Sequence, residues 1–222
     1  SRSTKDDLIK LLKVPAAKIE VIYPGKNDLA SPAANLPKGL KSKSYILAVG
    51  TIEPRKNLIG LFKAYALLPI ALQEKYPLVV AGAEGWNTGE TFNCLKVLKL
   101  DNKVKFLGFV SDGVLSKLYK ETALFVYPSL YEGFGFPVLE ALSFGAPVIT
   151  SNVSSLPEVA GKAAVLVDPN EPKSISNAIQ KLLEHKEDAD KLRLIAQKQV
   201  DKFSWQMSAK ATLKVFEKVG SQ

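Results

Sequence analysis

Six short apolar runs, at 45–49, 78–81, 104–107, 124–127, 147–150 and 164–167, limit the fold of this chain more than any other feature. Their apolar residues do not alternate with polar ones, so strands built from them must be covered on both sides. Helical patterns lie between and after them, at about 57–68, 90–99, 112–120, 137–144 and 173–184. A strand followed by a helix, repeated in this way, predicts the α/β class: a doubly wound parallel sheet of about six strands with helices on both faces. Such sheets collect ligands at the carboxyl ends of their strands, so the chemistry is expected in the loops there.

The flanks are different. Residues 4–13 read as a short helix with Leu8, Leu11 and Leu12 on one face, and 19–23 as a strand broken by Pro24-Gly25. The stretch 27–44 is polar, holds Pro32, Pro37 and Gly39, and has the composition of a linker. A helix, one strand and a linker read as the end of something begun upstream. Two further helices are expected at about 187–201 and 205–219, the second amphipathic and free to pack elsewhere.

The 222 residues suit one large domain or a domain with appendages. No apolar run approaches the ~18–20 residues of a membrane span, and the first residues lack the apolar core of a signal peptide. Cys94 is the only cysteine, which excludes an internal disulfide and a thiolate metal cluster and favours a reducing compartment. The net charge of +8 comes from lysines scattered from Lys5 to Lys218. They alternate with acids, as around Glu184 to Asp188, and the aromatics do not interleave with them. Solvated helix faces are therefore expected, and no nucleic-acid partner.

The most informative loop is Tyr127-Pro128-Ser129-Leu130-Tyr131-Glu132-Gly133-Phe134-Gly135-Phe136-Pro137-Val138-Leu139-Glu140-Ala141. It leaves a strand, crosses two glycines and opens a helix at Pro137, a residue suited to the first helical position. Gly145, followed by Pro147, closes that helix. Free amides and the positive end of the helix dipole make an anion site there. The flanking carboxylates Glu132 and Glu140 would repel a bare phosphate, but they suit a ligand carrying both phosphates and sugar hydroxyls.

Three other loops leave the same sheet edge. Gly50-Thr51-Ile52-Glu53-Pro54-Arg55-Lys56-Asn57 puts two cations at a helix start, where they are disfavoured unless an anion is present. Arginine would meet a diphosphate as a planar fork, and lysine as a point charge. Gly82-Ala83-Glu84-Gly85-Trp86 allows close backbone approach to a ligand. Gly108-Phe109-Val110 offers apolar contact and backbone hydrogen bonds to a base. No dinucleotide fingerprint and no P-loop occurs in the sequence. Asp188-Ala189-Asp190 and His185 fall in a charged, surface-type helix, and no clustered His, Cys or Asp set proposes a metal.

With these residues in view, the run from Tyr131 to Ala141 resembles the E-x7-E signature of retaining, family-4 (group 1) type glycosyltransferases of the GT-B fold. Neighbouring pieces are similar in the family's order: 49–57, 79–82, 106–110, Ala146-Pro147-Val148-Ile149 and Leu156-Pro157-Glu158-Val159. The resemblance covers about residues 45–185. It implies a Rossmann-like nucleotide-sugar-binding domain at 45–203, the C-terminal half of a GT-B fold. Residues 1–26 would be the tail of the acceptor-binding N-terminal domain, 27–44 a linker, and 204–222 a helix crossing back to that domain.

Carried over residue by residue, Glu140 would hold the ribose hydroxyls. Glu132 would face the donor sugar, together with Gly133 and the amides of Phe134 and Gly135. The amides of Val138 and Leu139 would meet the diphosphate with Arg55 and Lys56, and Gly50, Thr51, Gly82, Phe109 and Val110 would line the donor. Catalysis would rest on Glu132, Arg55 and Lys56, with no metal and no cofactor besides the nucleotide-diphosphate sugar. Many members carry Arg where this chain has Thr51; the Glu53 to Asn57 variant occurs in a subgroup that includes mannosyltransferases and hints at GDP-mannose. The implied partners are the N-terminal domain and an acceptor glycan or lipid-linked glycan. The implied place is the cytoplasm, where peripheral contact with the inner membrane face is allowed. A sugar-nucleotide epimerase of the same fold, or a non-catalytic nucleotide-sugar-binding module, are the alternatives.

Overall fold

The computed structural model describes residues 1–27, 29 and 34–221. Its centre is a parallel sheet of six strands: β1 (Ile46–Val49), β2 (Leu78–Ala81), β3 (Val104–Gly108), β4 (Leu124–Tyr127), β5 (Val148–Ser151) and β6 (Ala164–Val167). Their spatial order is β3-β2-β1-β4-β5-β6, every neighbour parallel. The order reverses between β1 and β4, and crossovers on the two sides of that point put helices on opposite faces.

Successive strand residues supply two cores, as a pleat with period two requires. Ile46, Ala48, Leu78, Val80, Leu124 and Val126 face the first. It is closed by α2 (Leu58–Ala66), α4 (Gly89–Val97) and α8 (Pro172–Glu184). Leu47, Val79, Ala81, Phe125 and Tyr127 face the second. It is closed by α5 (Asp112–Glu121), α6 (Phe136–Ser143), α7 (Leu156–Ala160) and α9 (Lys186–Val200).

The remaining helices are α1 (Arg2–Leu12), α3 (Ile70–Lys75) and α10 (Trp205–Gly220). Helices α1 and α10 bury none of their residues. The short α3 and α7 have no counterpart in the sequence reading, because five or six residues are too few to display a helical period. The expected strand at 19–23 is not one: the segment is irregular and joins no sheet. It runs beside α10 instead, and the Tyr23 ring meets Phe134 at a tilt and Phe203 edge to face. Part of the expected linker, residues 28 and 30–33, lies outside the described residues, as does Gln222. Among the described residues, no helix is long and apolar enough to cross a membrane.

Candidate functional site

At the reversal point the loops after β1 and β4 are sewn together. Pro54–Lys56 forms a single 3-10 turn, ended by Asn57 at a left-handed φ of 57°. The Asn57 side chain caps α2 by accepting the Gly60 N–H at 3.2 Å. Its amide nitrogen donates to the carbonyls of Pro128, at 3.0 Å, and Pro169, at 2.7 Å. One side chain thus joins the loops that follow β1, β4 and β6. The Leu130 N–H adds a bond to the Arg55 carbonyl at 2.9 Å.

This seam brings the sequence-selected charges together. Glu132, 8% exposed, accepts from Arg55 Nη1 at 2.5 Å, Lys56 Nζ at 2.8 Å and the Tyr127 hydroxyl at 2.7 Å. Lys56 also donates to the Tyr127 oxygen at 2.6 Å, and Arg55 Nη2 reaches Glu53 Oε1 at 2.5 Å. Glu53, Arg55, Lys56 and Glu132 therefore balance to zero net charge. Burial pushes the Glu132 carboxyl up, but the hydrogen bonds from Lys56 and Tyr127 and the two cationic charges outweigh it, and its pKa is lowered. Burial and Glu132 together push the Tyr127 hydroxyl up. For Arg55 burial opposes the charge, yet Glu132 and Glu53 more than offset it and raise its pKa. A buried pair is costly to break by removing one partner, because the other charge is left without compensation.

Next to this cluster the backbone supplies donors. The N–H groups of Gly133, Phe134, Gly135 and Phe136 have no acceptor among the described residues. Gly135 caps α6 at φ 109°, a conformation that side chains resist. Val138 and Leu139 are placed in the same first turn, but their N–H groups already point at the Gly135 carbonyl, at 3.0 and 3.4 Å, and their side chains are in the core. The unpaired donors thus lie two to six residues before the pair at 138–139 expected to meet a diphosphate, and they include the Phe134 and Gly135 amides expected beside the donor sugar. Proline at the second helical position has no N–H to add, which ends the run of donors at Phe136.

Glu140, 7% exposed on α6, accepts from Tyr119 at 3.0 Å and from the Asn27 amide at 2.9 Å. Burial and then Glu140 push the Tyr119 hydroxyl well up, so it stays a donor. Two lone pairs per carboxylate oxygen leave room for further hydroxyl donors.

The other selected residues are more dispersed. Gly50 lies under the Lys56 stem, 3.2 Å from where its own Cβ would stand, so the glycine lets that side chain cross the strand end. Gly82 serves the fold: a Cβ there would sit 2.0 Å from the Gly50 carbonyl oxygen. Thr51 is exposed, Phe109 is 84% exposed on the loop after β3, and Val110 packs on the second core. Phe134 turns its ring away from the cleft, among Tyr23, Phe136 and Phe203. Asp188 and Asp190 are tied into ion pairs on α9, and His185 lies near its start.

Two contributors carried no signal of their own. Tyr119 and Tyr127 read as apolar ring positions, and only packing gives their hydroxyls carboxylate partners. Glu158, at the start of α7, accepts the N–H groups of Arg2 and Ser3, both at 2.8 Å, and the Tyr23 hydroxyl at 2.6 Å. Burial pushes the Glu158 pKa up but these bonds outweigh it, so it is lowered, while Tyr23 is pushed up to about 12 by burial and by Glu158. The first helix is thereby held over the signature loop, where Thr4 bonds the Gly133 carbonyl and Tyr131 bonds Asp7.

Residues 35–199 match the family described as Glycosyl transferases group 1. O-antigen chain mannosyltransferase B of Escherichia coli is 37% identical over 225 aligned residues, 96% of this chain and 58% of that protein. O-antigen chain mannosyltransferase RfbU of Salmonella typhimurium is 32% identical, over 82% of this chain and 49% of its own length. The chain thus spans about half to three-fifths of the length of these relatives. Among solved structures, a glycosyltransferase from Rickettsia africae superposes with a TM-score of 0.83 at 22% identity, covering 99% of this chain and 62% of that one. HepE of Anabaena, solved in complex with UDP and glucose, gives 0.84 at 21% identity, covering 98% and 61%. With the family's motifs in order on a six-stranded Rossmann-like sheet, the chain belongs to the group 1 glycosyltransferases.

Proposed function

We propose that this chain is the donor-binding half of an enzyme that transfers a sugar, with retention and without a metal, from a nucleotide-diphosphate sugar to a glycan acceptor. The carrying observation is the juxtaposition of two groups: the Arg55–Glu132–Lys56 cluster and the four unpaired N–H groups at 133–136. In this reading the diphosphate takes those amides and the outward N–H groups of Arg55, with Lys56 behind them. Glu140, fixed by Tyr119, receives the ribose hydroxyls, and Glu132 faces the donor sugar. Departure of the nucleoside diphosphate builds negative charge on phosphate oxygens, and prearranged cations and amides stabilise it without a proton donor. The mannosyl group is the reading favoured by the relatives' names, with GDP as the matching carrier. The partner half would be an N-terminal domain supplying acceptor contacts.

Calorimetric titration of the 222-residue chain with GDP, UDP, ADP and pyrophosphate tests this. Binding of at least one nucleoside diphosphate is expected, and none by a folded chain overturns the reading. Glu140→Ala is expected to weaken the best nucleoside diphosphate about tenfold, the loss of one to two charge-assisted hydrogen bonds, and to leave pyrophosphate unchanged. Equal losses would remove the ribose role. Transfer is expected only once the upstream half is joined.

A further inference from the structure

The loop between β2 and α4 holds a tryptophan that the donor reading leaves unused. Trp86 is 58% exposed, yet it is tied to the neighbouring loop. Its indole N–H donates to Glu53 Oε2 at 3.3 Å. The loop backbone is tied to the neighbouring one through Ile52 N–H to the Ala83 carbonyl at 2.9 Å and Gly85 N–H to the Ile52 carbonyl at 3.1 Å. Thr88 bonds Glu84 at 2.7 Å. With its one donor satisfied at the ring edge, the indole keeps its apolar faces toward solvent. An aromatic body held by its polar handle loses little freedom when a ligand stacks on it.

The same rim has an open hollow of about 340 Å³ lined by Pro54, Asn87, Gly89 and Glu90. That volume falls at the lower end of ligand sites, roughly 300–1,000 Å³. The side chains of Asn87 and Glu90 have no hydrogen-bond partner among the described residues. Asn87 directly follows Trp86 in the loop, and a planar amide and a carboxylate close to an aromatic residue along the chain match a hexose ring: its C–H face stacks, and adjacent hydroxyls bond the polar pair.

Two observations favour a sugar ring here over the nucleotide's base. The hydrogen bonds from Trp86 run through Glu53 and Arg55 to Glu132, the carboxylate assigned to the sugar end, and do not reach Glu140. In addition, α4, which carries Glu90, packs on the first face of the sheet, whereas α6, which carries Glu140, packs on the second. A nucleotide whose ribose lies at Glu140 leaves Trp86 on the far side of the charge cluster. We infer that Trp86, Asn87 and Glu90 form a subsite for one hexose ring of the acceptor glycan, carried on the donor-binding domain itself. The word acceptor and the preference for a sugar over a base rest on the function proposed above; the hollow and its unpartnered polar lining do not.

The test is a pair of NMR titrations on the ¹⁵N-labelled chain, with the two indole signals assigned through Trp86→Phe and Trp205→Phe. An α-linked mannotriose is expected to shift the Trp86 indole and the Asn87 and Gly89 amides saturably, at millimolar concentration. Trp86→Phe, which keeps an aromatic face, is expected to bind within about threefold, while Trp86→Ala and Asn87→Ala lose about tenfold or more, read at Gly89. No shift at these groups up to about 20 mM mannotriose in the folded chain overturns the subsite. So does GDP, if it moves the Trp86 indole as strongly as the 135–136 amides, because the ring would then belong to the nucleotide. Failure of GDP to move any amide at 133–136 counts against the donor reading alone.

Discussion

Replacing Glu132 by Gln keeps the shape of the side chain and removes its charge. Lys56, with its side chain 12% exposed, then loses the one carboxylate it meets among the described residues, and Tyr127 keeps an acceptor of lower strength. Removing one member of a buried pair costs about 3–5 kcal/mol. Arg55 is 39% exposed and retains Glu53, so its share is screened by solvent, and the total expected is about 2–3 kcal/mol. For a chain of this size that lowers the melting temperature by roughly 5–10 °C, measurable by circular dichroism. The same substitution acts in the opposite direction on anion binding. In the free protein Glu132 competes for the cations that a diphosphate would use, so Glu132→Gln is expected to bind pyrophosphate several-fold to about tenfold more tightly than the wild type. A destabilisation below about 0.5 kcal/mol would show that the cluster is solvated and energetically idle. Weaker pyrophosphate binding would show that Arg55 and Lys56 are not the anion's partners.

The other predictions concern pH and the loop scaffold. Because the folded Glu132 pKa is lowered, its contribution is complete above the unfolded value near ~4.3 and is lost as pH falls through the folded one. The wild type's advantage over Glu132→Gln is therefore expected in full at about pH 7 and to shrink as pH falls below about 4 in paired melts, and a constant difference would contradict the assignment. Asn57→Ala removes a helix cap and two loop ties and is expected to cost about 2–3 kcal/mol in urea unfolding. A loss under about 1 kcal/mol would mean the loops hold without it. Gly82→Ala puts a methyl group into the Gly50 carbonyl and is expected to prevent folding, whereas Gly133→Ala meets open space and is expected to stay within about 1 kcal/mol of wild type. Melting curves of the two purified variants separate these outcomes.

Strand positions, the parallel sheet and the loops at its carboxyl edge were legible in the sequence, because buried parallel strands must be apolar throughout and helices between them must show a period. The segment 19–23 departs from the expected strand for a related reason. Apolar composition records that a segment packs against something but not against what, and the mostly half-buried residues 19–23 lie beside α10 and an aromatic cluster rather than at a sheet edge. Glu132, Glu140, Arg55 and Lys56 stood out as charges at glycine loops and helix ends, where local rules make them conspicuous.

What each does there depended on residues far away in sequence. Glu132 meets Lys56, with its ammonium 2.8 Å away, only because β1 and β4 are neighbours in the sheet, and Glu140 gains its buried donor because α5 packs beside α6. The sequence alone determined the fold class and the chemical character of the sheet edge, since strand burial and helix-terminus charge are local properties. Only the tertiary structure decided that both cations are already bound to one carboxylate, that the free amides are those of 133–136, and that the Trp86 indole is tied to Glu53. Hydrogen-bond partners are set by the order in which strands lie side by side, and a linear pattern does not contain that order.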